Sequence, residues 1–221
     1  ILAARPPGRE EIGNLTRYLS NQIMKLGVKI LLQKEVDLDF IQEFNPEAII
    51  LATGSTPIGF LENEKLESQL YFGHQVLSGE IEIGRKVVVI GGGSVGSGIA
   101  DFLAERGHEV ILILRRSDIG SKLEPSTKMV IKKRLQKNGV RIIQKAHFRG
   151  FIEGQVRMDR EGIEEYIDAD NVVLAIGAKP ENSLYQEIKG RWGNVYAIGD
   201  CVEPRGILEA ISEGATVARI I

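Results

Sequence analysis

A glycine-rich turn between a buried strand and an amphipathic helix is the feature that most limits the folds open to this chain. Residues 87–90 are Val-Val-Val-Ile and predict a buried strand, and the hexapeptide Gly-Gly-Gly-Ser-Val-Gly follows at 91–96. Apolar residues at helical spacing then predict a helix up to Gly107, and residues 109–114 predict a second strand. A strand, a tight turn, a helix and a strand in this order are typical of a parallel α/β fold.

The hexapeptide matches the pattern G-x-G-x-x-G, with Gly91, Gly93 and Gly96 in the glycine positions. Gly91 permits the tight turn, Gly93 lets a phosphate approach the backbone, and Gly96 lets the helix pack close to the strand. Ser94 and Val95 begin the helix, whose N-terminus offers free N–H groups and a partial positive charge to phosphates. The pattern in this context predicts that the turn binds the pyrophosphate of a nicotinamide dinucleotide. The alternative is a close-packed turn without a ligand.

The end of the second strand bears on which nicotinamide nucleotide would bind. NAD sites usually carry an acidic residue there for the ribose hydroxyls, whereas this strand ends Leu114-Arg115-Arg116. Two cations at this position favour the 2′-phosphate of NADP(H). The alternatives are that both arginines are solvated surface charges, or that Asp118 or Glu124 reaches the ribose.

Strands alternate with helices over most of the remaining sequence, which predicts an α/β fold with parallel sheets. The 221 residues are enough for one large domain or two small ones. We expect helices at 10–26, 39–44, 126–137 and 207–220, strands at 28–32, 48–52, 140–144, 171–175 and 195–198, antiparallel strands within 147–168, and irregular or mixed linker structure at 58–84.

One internal repeat links the two halves of the chain. Residues 50–57 (Ile-Leu-Ala-Thr-Gly-Ser-Thr-Pro) are echoed by residues 173–180 (Val-Leu-Ala-Ile-Gly-Ala-Lys-Pro), with Gly54 and Gly177 in equivalent positions. Each copy reads as a buried strand, a glycine exit and a later proline. The repeat favours two related dinucleotide-binding domains over two similar strand-to-loop exits that arose independently.

A second candidate site lies where the predicted strand 195–198 ends at Gly199-Asp200. A carboxylate there can accept hydrogen bonds from sugar or ribityl hydroxyls, and the helix expected at 207–220 can direct its positive end at a developing negative charge. The alternative is an ordinary helix-capping aspartate.

Composition limits the binding partners, the cellular setting and the kinds of site that are possible for this chain. The net charge of −2 gives no strong attraction to nucleic acid or an anionic membrane, and the apolar runs are too short to span a bilayer. One cysteine, Cys201, excludes an internal disulfide and fits a reducing, cytoplasmic setting. We interpret it as a small residue rather than a nucleophile. The three histidines have no metal-ligand spacing, so no metal site is expected, and the Lys132-Lys133-Arg134 run reads as the solvated face of a helix.

Three motifs stand in the order found in flavoprotein oxidoreductases with two dinucleotide-binding domains, and the chain resembles that family over nearly its whole length. Ala52-Thr53-Gly54 resembles the family's strand-exit motif, the turn at 91–96 its nicotinamide-nucleotide motif, and Gly199-Asp200 its late flavin motif. The resemblance implies a Rossmann-like NAD(P)-binding domain at 84–181, inserted in an FAD-binding α/β domain made of residues 1–83 and 182–221. The candidate cofactor-binding residues are Ala52, Thr53, Gly54, Gly91, Gly93, Ser94, Val95, Gly96, Arg115, Arg116, Gly177, Gly199 and Asp200.

The opening of the chain carries a more specific resemblance. Residues 2–12 (Leu-Ala-Ala-Arg-Pro-Pro-Gly-Arg-Glu-Glu-Ile), followed by Tyr18-Leu19, resemble the C-terminal half of the 2,4-dienoyl-CoA reductase and NADH:flavin oxidoreductase family, which includes old yellow enzyme-like proteins and relatives of trimethylamine dehydrogenase. In this family an N-terminal barrel holds FMN and an iron–sulfur cluster, while the C-terminal half holds FAD and takes hydride from NAD(P)H. The resemblance implies that the substrate, an enoyl- or dienoyl-CoA-type compound or a relative of one, reacts in a missing N-terminal part.

The sequence also predicts what this chain lacks. It does not begin with methionine, and no second G-x-G-x-x-G precedes Ile50, so we expect a fragment whose cradle for the ADP half of FAD lies upstream. NADP or NAD binding is expected here, and FAD binding is expected of the full-length protein. Asp200 and the helix after it would steady the flavin, and no residue of this chain is expected to be a catalytic acid or base.

Two other readings stay open at this point. One is a flavoprotein of the ferredoxin-reductase or NADH-oxidase type with a different electron acceptor. The other is a nucleotide-binding module without redox chemistry. The choice between NADPH and NADH is open as well, because Gly120 stands where the NADPH motif of thioredoxin reductases has a third arginine.

Overall fold

The structure is a computed structural model that describes residues 2–59, 69–120 and 123–221. Its α-helices are α1 (Glu11–Lys25), α2 (Leu38–Phe44), α3 (Gly73–Ser78), α4 (Ser94–Glu105), α5 (Pro125–Lys137), α6 (Ser183–Ile188) and α7 (Ile207–Val217). Its strands are β1 (Ile49–Leu51), β2 (Ser55–Pro57), β3 (Leu70–Phe72), β4 (Lys86–Ile90), β5 (Glu109–Ile113), β6 (Arg141–Ile143), β7 (Ala146–Ile152), β8 (Gln155–Arg160), β9 (Ile163–Asp168), β10 (Asn171–Leu174), β11 (Ala178–Pro180) and β12 (Val195–Ala197). Short 3-10 helices lie at Leu2–Ala4 and Gly199–Cys201.

Two compact units make up the chain. One unit contains Ile1–Val28 and Gly59–Ile176, and the other contains Lys29–Ile58 and Gly177–Ile221. Each unit is therefore made of two segments of the chain, which alternate along the sequence. The α/β class predicted from the sequence is confirmed.

A five-stranded parallel sheet in the order β3-β10-β4-β5-β6 forms the centre of the first unit. Alternate residues of β4 face opposite sides of this sheet, as the pleat requires. Val87 and Val89 join an apolar cluster with residues of α3, α4 and α5. Val88 and Ile90 join a second cluster with Phe148, Phe151 and other residues of the antiparallel sheet β7-β8-β9. The sheet is thus covered on both faces, which explains its nearly continuous apolar strands.

The second unit is smaller and has a thin core. Strands β1 and β12 pair in parallel, with Ile49 opposite Val195, and β2 pairs antiparallel with β11. The buried apolar cluster contains Ile41, Leu51 and Ile188, with partly buried neighbours around them. A sheet of two parallel strands buries little apolar surface, so this unit has few contacts to hold its strands in place.

The predicted strand at residues 28–32 is wrong. These residues form turns and irregular backbone, and Val28, Ile30, Leu31 and Leu32 are all exposed, Leu32 to 82%. A strand needs a hydrogen-bonding neighbour, and within the described ranges no strand pairs with this segment. The apolar run therefore has the composition of a strand, but it has no partner strand within the described ranges.

The region predicted as linker, 58–84, contains regular structure. Strand β3 pairs with β10 at the edge of the parallel sheet, and α3 follows it directly. The part of the predicted linker at 60–68 lies outside the described residues. Residues 2–28, which the sequence assigned to the first flavin-domain segment, belong to the unit with the parallel sheet. None of the described helices is long and apolar enough to cross a membrane.

Candidate dinucleotide site

The glycine turn at 91–96 follows the carboxyl end of β4, which is the central strand of the parallel sheet. Gly91 has a φ of +117°, and its N–H donates to the carbonyl oxygen of Ile113 at the end of β5, at 2.9 Å. A β-carbon on Gly91 would stand 2.3 Å from the carbonyl oxygen of Ala175, just after β10. Three adjacent strands therefore converge on Gly91 and require a residue with no side chain.

Gly96 is required for a different reason. It is buried in the first turn of α4, and a β-carbon there would stand 1.8 Å from the carbonyl oxygen of Gly91. The helix can approach the turn this closely only because Gly96 has no side chain. Gly91 and Gly96 are thus explained by packing within the protein.

Gly93 is not explained by packing. It is exposed, has ordinary extended backbone angles (φ −71°, ψ −173°), and has no atom within 4 Å of the position a β-carbon would take. The described part of the protein therefore has room for a side chain here. Gly93 is the N-cap of α4, so this open position directly precedes the residues whose N–H groups begin the helix. A phosphate that approaches this backbone fits the space, and the turn passes this test for a dinucleotide.

The loop after β5 is attached to the glycine turn. The N–H of Gly120 donates to the carbonyl oxygen of Gly92 at 2.6 Å, and the side chain of Leu114 lies over Gly92. Arg115 and Arg116 lie between these contacts, both exposed, and neither side chain has a hydrogen bond or ion pair with a described residue. The structure therefore attaches the loop that carries both predicted cations to the turn.

Asp118, the alternative ligand for a ribose, is already paired. Its two carboxylate oxygens lie 2.7 Å from the Nζ atoms of Lys128 and Lys132 on α5. Hydrogen bonds from Lys128 and then Lys132 lower the pKa of Asp118 to about 2. Lys132 is thus part of an ion-pair cluster, in addition to lying on the solvated face predicted for it. Glu124 precedes α5 and is exposed, without a side-chain cap to that helix.

The two copies of the internal repeat meet in the second unit. Strands β2 and β11, which follow Gly54 and Gly177, pair antiparallel, with Thr56 opposite Lys179. Thr53 donates a hydrogen bond from Oγ1 to the carbonyl oxygen of Glu181, and the N–H of Glu181 donates to Gly54 at 3.0 Å. Ala52 and Thr53 are exposed at the end of β1. The strand-exit motif is thus held by Glu181, directly after the second copy of the repeat, a contact that the sequence did not predict.

The Gly199-Asp200 corner is held by α7. The N–H of Gly199 donates to Glu213 at 2.6 Å, and Glu213 is also ion-paired with Arg205. The Gly199 hydrogen bond, followed by that from Arg205, lowers the pKa of Glu213. Asp200 accepts hydrogen bonds from the Arg205 N–H at 3.2 Å and from Ser55 at 3.4 Å. The N-cap of α7 is Gly206, so Asp200 does not cap that helix as the alternative interpretation required.

Cys201 is completely buried beside this corner. Its Sγ donates to the carbonyl oxygens of Ile198, at 3.0 Å, and Leu51, at 3.2 Å. A thiol in such surroundings packs as a small residue, in line with the interpretation from the sequence.

One contact at the turn was missed by the sequence analysis. The guanidinium of Arg9 donates from Nη2 to both the carbonyl oxygen and Oγ of Ser94, at 3.1 and 3.2 Å. The two residues are 85 positions apart, so no local pattern relates them.

A parallel sheet that ends in this glycine turn, with a helix N-terminus beside an open Gly93, defines the class as a dinucleotide-binding α/β protein. The family model for pyridine nucleotide-disulphide oxidoreductases matches residues 9–216, and the chain belongs to this family. It is an FAD- and NAD(P)-binding oxidoreductase domain, and the resemblance to two-domain flavoproteins is confirmed.

Individual relatives extend the comparison. The chain is 31% identical to an NADH oxidase from Thermoanaerobacter brockii over 98% of its length, which is 34% of that protein. A 2-naphthoyl-CoA reductase structure matches with a TM-score of 0.92 and 27% identity, over 100% of this chain and 34% of that one. Histamine dehydrogenase from Rhizobium sp. 4-9 shares the fold, with a TM-score of 0.85 and 20% identity, over 99% of this chain and 37% of that one. The chain therefore spans about a third of the proteins it matches.

Proposed function

We propose that this chain is the nicotinamide-nucleotide and flavin portion of an NAD(P)H-dependent flavoprotein oxidoreductase that reduces an enoyl- or dienoyl-CoA-type or related substrate at a site outside the chain. When bound, NAD(P)H supplies hydride and FAD accepts it. The similarity to a 2-naphthoyl-CoA reductase supports the substrate class. The similarity to an NADH oxidase supports the use of a nicotinamide nucleotide as donor.

The open space at Gly93 is the observation that carries the proposal. Neighbouring atoms explain why residues 91 and 96 are glycine, but none explains residue 93. In our proposal the N–H groups at Ser94, Val95 and Gly96 hold the pyrophosphate, with the partial positive charge of α4 behind them.

Each remaining candidate residue has a binding role in the proposal. Arg115 and Arg116 hold the 2′-phosphate of NADPH, since both are free to turn toward it. In the second unit, the backbone at Gly54, Gly177 and Gly199 lets a flavin approach, together with Ala52 and Thr53. Asp200 accepts hydrogen bonds from hydroxyls of the flavin side chain. These residues bind and orient, and no proton transfer is assigned to any of them.

Further protein beside the second unit is part of the proposal. The apolar residues at 28–32 are exposed, and β1 and β12 have no other partner strand within the described ranges. Strands from an additional segment would cover them and supply the cradle for the ADP half of FAD. The proposal places that segment, and a barrel with FMN and an iron–sulfur cluster, in a longer cytoplasmic protein. The chain spans about a third of the length of the proteins it matches, which supports the existence of these further segments.

Nucleotide titration of two matched glycine variants tests the turn. Gly93→Ala should weaken NAD(P)H binding, followed by the fluorescence of the reduced nucleotide, by about tenfold or more, because the methyl group occupies the phosphate position. The unfolding free energy should change by about 1 kcal/mol or less. Gly193→Ala is the control, since a β-carbon on Gly193 would also meet no atom within 4 Å and Gly193 is part of the second unit rather than of the turn.

Two results would reject the proposal. Wild-type protein that binds neither NADPH nor NADH would rule out the nucleotide site. Separately, purification of the longer natural protein without flavin absorbance, together with failure to take up added FAD, would rule out the redox function and leave a nucleotide-binding module.

A further inference from the structure

The segment before α1 lies on the helix that follows the glycine turn. Pro6 is buried, and its side chain stands 3.3 Å from the position a β-carbon would take on Gly98, in the second turn of α4. Nη2 of Arg9 lies 3.4 Å from the same position. Arg9 is thus fixed beside the N-terminal half of α4, where Ser94 accepts its two hydrogen bonds.

The charge of Arg9 is not neutralised by the protein around it. No carboxylate lies within 4.0 Å of its guanidinium among the described residues, and Nε and Nη1 make no hydrogen bond there. Burial lowers the pKa of Arg9 more than the negative charge of Asp101 raises it, which indicates a partly desolvated cation. The Asp101 carboxylate is itself bound by Arg134 at 2.6 Å and by Asn138 at 3.1 Å.

Because residue 98 is glycine, α4 has no carboxylate at this position to pair with Arg9. An aspartate or glutamate at this position would extend toward Arg9, because the β-carbon position is already 3.4 Å from Nη2. With glycine, α4 offers Arg9 only neutral acceptors on Ser94. A half-buried guanidinium with unused donors is suited to an anion that accepts several hydrogen bonds, and a phosphate does so.

We propose that Arg9 binds the diphosphate of the nicotinamide dinucleotide at the start of α4. The inference rests on the proposed nucleotide site. It adds a cation supplied by the segment before α1, so that the start of α4 presents both its N–H groups and a guanidinium to the same anion. The bonds to Ser94 hold Arg9 in place, and Nε and Nη1, which bond no described residue, are the donors that the proposal assigns to the ligand.

Binding of three ligands, NADPH, ADP-ribose and adenosine 2′-monophosphate, to three variants and one control variant tests this role. ADP-ribose contains the diphosphate but no nicotinamide, and adenosine 2′-monophosphate contains neither. Arg9→Ala should weaken ADP-ribose and NADPH binding by about tenfold or more and leave adenosine 2′-monophosphate binding unchanged. Arg9→Lys should lose less, since a point charge remains. Gly98→Asp should weaken binding of the same ligands as Arg9→Ala does, because the new carboxylate forms an ion pair with the Arg9 guanidinium. Arg5→Ala is the control: Arg5 is exposed and lies in the same segment.

The outcomes separate this inference from the proposed function. If the wild type binds no dinucleotide, the proposed function is wrong and the role of Arg9 falls with it. If the wild type binds ADP-ribose and folded Arg9→Ala binds it equally well, the inference alone is wrong. Loss of NADPH binding without loss of ADP-ribose binding would place Arg9 at the nicotinamide half and also overturn the proposal. Weaker binding of all three ligands would indicate a purely structural role. Thermal melting of each variant checks that it is folded.

Discussion

Gly96 lies so close to Gly91 that a β-carbon on Gly96 would stand 1.8 Å from the Gly91 carbonyl oxygen. No side-chain rotation relieves this contact, because the second atom belongs to the backbone of the turn. A side chain at residue 96 can therefore be accommodated only if the backbone of the glycine turn and that of α4 move apart.

The first prediction concerns this contact. Gly96→Ala should push α4 away from β4 and destabilise the protein by about 1–3 kcal/mol, the range for overpacking a well-packed site. Urea unfolding measures the effect, and nucleotide binding should fall in the same variant. Gly93→Ala is the comparison, since it should reduce binding with little change in stability. Equal stability of the Gly96→Ala variant and the wild type would show that the approach of α4 is not tight.

The second prediction concerns the choice of nucleotide. The double variant Arg115→Ala and Arg116→Ala should weaken NADPH binding by about tenfold to a hundredfold, because charge-assisted hydrogen bonds to the 2′-phosphate are lost. NADH binding should change much less, because NADH lacks that phosphate. Paired titrations with both nucleotides give the ratio. A wild type that prefers NADH, or equal losses for the two nucleotides, would contradict the role of these arginines.

The third prediction is the pH dependence set by Asp118. Its pKa of about 2 is below the ordinary value of 3.8, so its ion pairs stabilise the folded protein above about pH 4. This contribution is lost as the pH falls from 4 through 2. Asp118→Asn should therefore be less stable than the wild type at neutral pH and equal to it near pH 2. The difference should stay below about 1 kcal/mol, since the pair is largely exposed and screened.

Denaturant unfolding across this pH range measures the Asp118 effect. Asp39→Asn is a suitable control, because Asp39 is exposed and has no ion pair with a described residue. A stability difference for Asp118→Asn that is constant from pH 7 to pH 2 would argue against the two lysine contacts.

The fourth prediction concerns the corner before α7. Glu213 holds the N–H of Gly199, and its pKa is lowered by that hydrogen bond and by Arg205. Glu213→Gln should increase amide hydrogen exchange at Gly199, because a neutral acceptor binds the N–H less strongly. Since the lowered pKa means that the charged form is favoured in the folded protein, acidification through that pKa should loosen the wild type in the same way. Glu187→Gln on α6 is the matched control, and unchanged exchange at Gly199 in Glu213→Gln would refute the assignment.

Local patterns allowed much of the first unit to be predicted. The strand that became β4, the turn at 91–96 and the helix that became α4 are encoded by apolar periodicity and by glycine, which act over a few residues. Residues 28–32 have the composition of a strand as well, but strand formation depends on a partner, and the composition says nothing about whether one is available.

Long-range contacts were the part that could not be predicted. The bonds between Arg9 and Ser94 join residues 85 positions apart, and only the course of the backbone between them brings the two together. The pairing of Lys132 with Asp118 likewise depends on how α5 lies over the loop after β5. The repeat at 50–57 and 173–180 was visible in the sequence, whereas the pairing of Thr56 with Lys179 required the fold.

The pairing of Ile49 with Val195 has a consequence for how the protein is made. During synthesis β1 emerges before the sheet strands of the first unit, and its partner β12 emerges only after them. The first unit, whose sheet strands all lie between residues 70 and 174, can complete its sheet in that interval. Strand β1 must wait for β12, and closing so long a loop adds an entropic cost to their pairing. Formation of the β1–β12 pair should therefore be a late step in folding.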